Sequence, residues 1–135
     1  MRGIPSLMAA ALAGVAAIVA NQDGDPDIVP FFVALTIAAG IHAWALARPP
    51  TRLPHSVASG IAGLWTIASL WIGVLLLMFQ ATCACSRAEP LPPELTYLGL
   101  TATVYHLVGL YGGLGLVLYG TSRVRRDIGH AQAGG

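Results

Sequence analysis

Residues 57–81 read VASGIAGLWTIASLWIGVLLLMFQA, twenty-five positions without an Asp, Glu, Lys or Arg. A helix needs about 20 residues, within a range of about 17–25, to cross the hydrocarbon of a bilayer. Water is absent at that depth, so every backbone N–H and C=O must be satisfied inside the segment. A run this long therefore reads as an α-helix. Two more stretches, 29–47 and 95–120, pass the same test of length and charge, and 6–20 is a shorter, Ala-rich fourth. Prolines fall at the ends of these runs, where a helix tolerates them. Pro30 opens the second, Pro49, Pro50 and Pro54 follow it, and Pro90, Pro92 and Pro93 precede the fourth.

Composition points the same way. Of the 135 residues 56% are hydrophobic and 10% charged, whereas a soluble domain carries about 25% charged residues. A net charge of +1 gives no electrostatic case for a nucleic-acid partner. Where the charges fall says more than their sum. Asp23, Asp25 and Asp27 occupy one connection, Arg48 and Arg52 the next, and Arg87, Glu89 and Glu94 the third; Arg2 begins the chain and Arg123, Arg125 and Arg126 follow the fourth segment. Arginine-rich loops stay on the cytoplasmic side, and this alternation orients every segment consistently.

The expected fold is all-α: a polytopic membrane protein, an up-down antiparallel bundle of four transmembrane helices. The transmembrane domain covers 1–120, with spans of about 5–20, 29–47, 57–81 and 95–120, followed by a short disordered cytoplasmic tail at 121–135. The expected location is the cell's inner membrane, with both termini cytoplasmic. The first segment also has the character of a signal peptide. Ile18 and Ala20 make a poor A-x-A cleavage site, so an uncleaved helix is expected.

Apolar side chains gain little by leaving lipid for protein, so helices associate there through small residues and hydrogen bonds. The third segment offers Ser59, Ala62, Thr66, Ser69 and Gly73 at helical spacing, and the fourth offers Gly99, Thr103, His106, Gly109 and Gly113. The second offers Ala38, Ala39, His42 and Ala45. Trp65 and Trp71 are expected to point away from these stripes, toward lipid or a partner.

Within the four segments only His42 and His106 titrate near neutrality. Counted from the outer ends of their segments they fall at matched depth, about 17–18 Å in. Two inward-facing imidazoles at one depth are candidate axial ligands of a b-type haem. The plainer alternative is that each hydrogen-bonds a Ser, Thr or carbonyl of a neighbouring helix. Cys83 and Cys85 form a C-x-C at the outer end of the third segment. Both are candidates for a disulfide or for redox chemistry, although an i,i+2 bridge is strained and C-x-C is not the C-x-x-C of thioredoxin-like motifs.

No nucleotide-binding, metalloprotease or serine-hydrolase signature is present. No catalytic residue and no metal site is read from the sequence. The functional expectation is an accessory or anchor subunit of a larger membrane complex, or a homo-oligomer, whose partners are the lipid bilayer and other membrane subunits. Two alternatives stand behind it: a small quinone-linked cytochrome with one haem between His42 and His106, and a membrane thiol redox protein using Cys83 and Cys85.

Overall fold

The computed structural model describes residues 2–24, 26–49, 52–83, 94–97, 100–103 and 105–134; for residue 52, for 76–77 and for those described between 79 and 103 it describes the backbone alone. Helix α1 spans Ile4–Gln22 and α2 spans Val29–Ala47, joined through a short 3-10 turn at Pro26–Ile28. Gly24, at φ +86°, takes the left-handed conformation that lets the chain turn out of α1. Helix α3 spans Arg52–Cys83, its 32 residues rising about 48 Å. Three helical stretches, Ile4–Gln22, Pro26–Ala47 and Leu53–Leu75, are long and apolar enough to cross a membrane.

The fourth segment departs from expectation at both ends. Strands β1 (Glu94–Tyr97) and β2 (Leu100–Thr103) pair antiparallel, with Tyr97 opposite Leu100 and Glu94 opposite Thr103. Among the described residues helix resumes at Tyr105, runs as a π-helical stretch over His106–Gly112, and continues as α4 over Gly113–Ala133. Hydropathy alone assigned residues 95–104 to a membrane helix. Thr96, Tyr97, Thr101 and Thr103 are β-branched or aromatic, types that fit a pleated strand better than a helix. Residues 121–133, expected as an irregular tail, extend α4 instead. Val124 and Ile128, four residues apart, share one face there, with Val124 buried against Ala45, Leu46 and Ala58.

Helix α1 packs against α2 and α4, and α3 packs against the same two. The start of α1, the end of α2, the start of α3 and the second half of α4 meet at one end of the molecule. Arg2 pairs with Asp127 there at 3.4 Å, and Gly120 lies beside Ser6 and Leu46. That end also carries Arg48 and the arginines of α4, while Asp23 and Asp27 lie at the other, between α1 and α2.

The packed centre is built from small residues. Ala9, Ala13, Ala16, Ala17 and Ala20 of α1 face Phe32, Leu35 and Ala39 of α2, with Trp65, Leu110 and Val117 completing the cluster. Bulky apolar side chains lie on the outside instead, among them Leu7, Ile18, Ile37, Leu64, Ile67 and Trp71. Among the described residues the chain thus buries alanine and exposes leucine, isoleucine and tryptophan.

Candidate functional site

The most buried polar group sits at the arginine-rich end. His42 of α2, Ser6 of α1 and the hydroxyl of Thr121 on α4 form one chain: Ser6 Oγ lies 2.6 Å from His42 Nδ1, and His42 Nε2 lies 2.9 Å from Thr121 Oγ1. Both Ser6 and His42 are 0% exposed. Thr121 donates its single hydroxyl proton to the carbonyl of Val117 at 2.9 Å. His42 must therefore donate from Nε2–H to Thr121, which leaves Nδ1 to accept from Ser6. One neutral tautomer satisfies every donor in the chain. The arrangement ties three helices together at a single depth, and both ring nitrogens are occupied.

His106 lies elsewhere. Its ring stacks at 4.7 Å from Tyr105 and sits 6.3 Å from Phe32, in the first turn of α2. Phe32 and His42 are ten residues apart on α2, about 15 Å along the axis. The two histidines are thus at different depths, and they cannot meet at one iron. The expected b-haem does not fit this pair: matched depth requires a helix that starts at residue 95, and the described helix starts at Tyr105. Cys83 is the last residue of α3 and its side chain is not described. Cys85 lies outside the described residues, so the C-x-C redox expectation falls on a part of the chain with no described geometry. Among the described residues no three His, Cys, Asp or Glu side chains gather as a metal site.

Of the expected packing residues, Gly73 and Gly113 lie where α3 meets the fourth helical stretch, and Gly109 lies where that stretch meets α1 and α2. Gly113 lies against the indole of Trp65, and Gly109 would place a Cβ 2.5 Å from Ala16 Cβ and 2.8 Å from Phe32. Gly73 lies under the hydroxyl of Tyr111, which donates to the carbonyl of Ser69 at 3.2 Å. Ser69 is buried, and its own Oγ has no partner among the described residues. Thr66 donates back to the Ala62 carbonyl of its own helix at 2.8 Å. Ser59 is exposed, at the edge of a groove between α3 and α4.

Trp65 is a correction. Expected to face outward, it is 1% exposed and donates Nε1–H to the carbonyl of Leu110 at 2.9 Å. That carbonyl belongs to the π-helical stretch, whose wider turns loosen the regular i→i−4 ladder. The buried face of α3 is Ala58, Ala62, Trp65 and Ser69. Trp71, expected outward as well, is 64% exposed.

Sequence reasoning missed Ser6 and Thr121 and set Trp65 on the wrong face. Ser6 and Thr121 stand at the edges of their apolar runs, where a polar residue reads as a boundary. Depth counting from the arginine-bearing end would have found them, since Ser6, His42 and Thr121 all lie within a few residues of Arg2, Arg48 and Arg123. No protein-family model, curated protein or solved structure matches the chain.

Proposed function

We propose that this chain is a multi-pass membrane protein that serves as an accessory or anchor subunit, docking a partner helix along the outer face of α3. The observation that carries this reading is the inverted distribution of side chains, alanine within and large apolar residues without. On α3 the exposed residues Leu64, Ile67, Trp71, Val74 and Met78 recur at spacings of 3, 4, 3 and 4, the pattern one helix offers another. The interior supports a structural body rather than a conducting one, because its packed polar side chain His42 is engaged by its neighbours.

In this reading the helices form an up-down antiparallel bundle in the inner membrane, with the arginine-bearing end cytoplasmic. Arg48, whose guanidinium lies 4.6 Å over the Trp44 ring, marks that interface. The β1–β2 hairpin lies outside the hydrocarbon, since a two-stranded sheet leaves unpaired edge groups that lipid cannot satisfy. The fourth helix then enters the bilayer at Tyr105 and leaves near Thr121, held by its contacts with α1 and α3.

Extraction from the native membrane in mild detergent tests the subunit reading. The expected result is a stoichiometric assembly well above the 14.0 kDa of the chain, disrupted by Trp71→Ala together with Ile67→Ala. A monodisperse monomer under the same conditions contradicts it.

A further inference from the structure

A groove of about 470 Å³ runs between α3 and α4 at the arginine-bearing end. Its α4 wall is one helical face, with Leu118 first, Thr121 and Ser122 one turn on, and Arg125 and Arg126 a further turn on. Ser59 and Ala62 of α3 form the facing wall. Polarity therefore changes in order along the groove, from apolar through hydroxyl to guanidinium.

The two arginines are exposed. Among the described residues neither meets a carboxylate, and the neighbouring Asp127 is engaged by Arg2. Thr121 is held by His42 and the Val117 carbonyl, so the buried hydrogen-bonded chain fixes the inner wall of the groove. The Thr121 and Ser122 hydroxyls donate to the Val117 and Tyr119 carbonyls, so the groove's donors are the two guanidinium groups and Ser59; they form a site for a phosphate, which arginine binds through paired N–H donors. An apolar extension leading toward the membrane interior adds a place for an acyl chain.

We propose that this groove binds the headgroup of an anionic phospholipid of the cytoplasmic leaflet. Its phosphate lies on Arg125 and Arg126 beside Ser59, and its acyl chain runs along Leu118 and Ala62. The inference rests on the membrane reading above and adds a specific ligand to it. Charge complementarity selects this occupant: basic pockets between helices at the cytoplasmic face take acidic lipid headgroups. The third arginine of the cluster, Arg123, does not line the groove and serves as the internal control.

The test uses the full chain in nanodiscs of phosphatidylcholine containing a minority of phosphatidylglycerol, with native mass spectrometry counting the lipids that survive release. Wild type and R123Q should each retain one phosphatidylglycerol in preference to phosphatidylcholine. Each of R125Q and R126Q should weaken retention about 5-fold, and the double variant about 25-fold. Ser59→Phe fills the groove while leaving all three arginines in place, and it should abolish retention as well. Equal loss in R123Q and R125Q would mean diffuse attraction to a basic tail, and it would overturn the site. Retention unchanged in S59F would do the same. Displacement of the lipid by millimolar inorganic phosphate alone would show a free-anion site and overturn the lipid assignment. Failure of the protein to enter nanodiscs at all would instead refute the membrane reading, so the two failures are separable.

Discussion

Gly113→Ala isolates the contact that seats α3 against α4. A Cβ at this position collides with Trp65 Cζ2 and comes within 3.1 Å of Cε2 and 3.2 Å of Cη2. The indole has little room to yield, being 1% exposed and bonded through Nε1 to Leu110. Inserting a methyl into such packing costs about 1–3 kcal/mol. If the ring rotates away, the hydrogen bond to Leu110 is lost as well, worth about 0.6 kcal/mol inside a membrane. Alanine recovers about 0.5–1 kcal/mol of helix propensity. With the ring displaced, the net loss is therefore roughly 0.6–3 kcal/mol. Gly115→Ala is the matched control, two residues along α4 with nothing within 4 Å of its Cβ. It should leave stability unchanged or raise it by up to about 1 kcal/mol. Reversible unfolding in mixed micelles titrated with sodium dodecyl sulfate reads both shifts on one scale. Equal shifts in the two variants, or a Gly113→Ala protein as stable as wild type, would refute the Trp65–Gly113 packing.

Two further outcomes follow from the buried polar chain. Ser6→Ala and Thr121→Val should each destabilise by about 0.6–1.7 kcal/mol, and both effects should shrink in a His42→Phe background; additive losses in the double-mutant cycle would show that the three groups do not act together. Protein purified from haem-replete cells should show no Soret band, because His42 and His106 lie at different depths; a band abolished by either His42→Ala or His106→Ala would restore a shared iron.

Apolar runs bounded by proline made the first three helices legible, and α2 occupies the range that hydropathy marks, Val29–Ala47. The fourth was not, because a hydropathy count treats the run LTYLGLTAT at residues 95–103 as it treats a helix. With the helix starting at Tyr105 in place of residue 95, His106 loses its match in depth with His42. Trp65 was misplaced for a different reason. The small-residue stripe of α3 and its buried face differ by about one position, and only the absence of a side chain on Gly113, on another helix, makes space for an indole there. Which glycine faces which ring is a property of two helices together, and periodicity within one cannot reveal it.

Lipid contact of the outer surface is the claim on which the rest stands, and Trp65 and Trp71 probe it from opposite sides of one helix. The decisive measurement is fluorescence quenching by brominated acyl chains in vesicles reconstituted with the chain alone, its proposed partner absent, comparing a variant that keeps only Trp71 with one that keeps only Trp65. Strong quenching of Trp71, 64% exposed, with little quenching of Trp65, 1% exposed, is the predicted result. Trp71 unaffected by bromolipid but quenched by aqueous iodide would contradict the account.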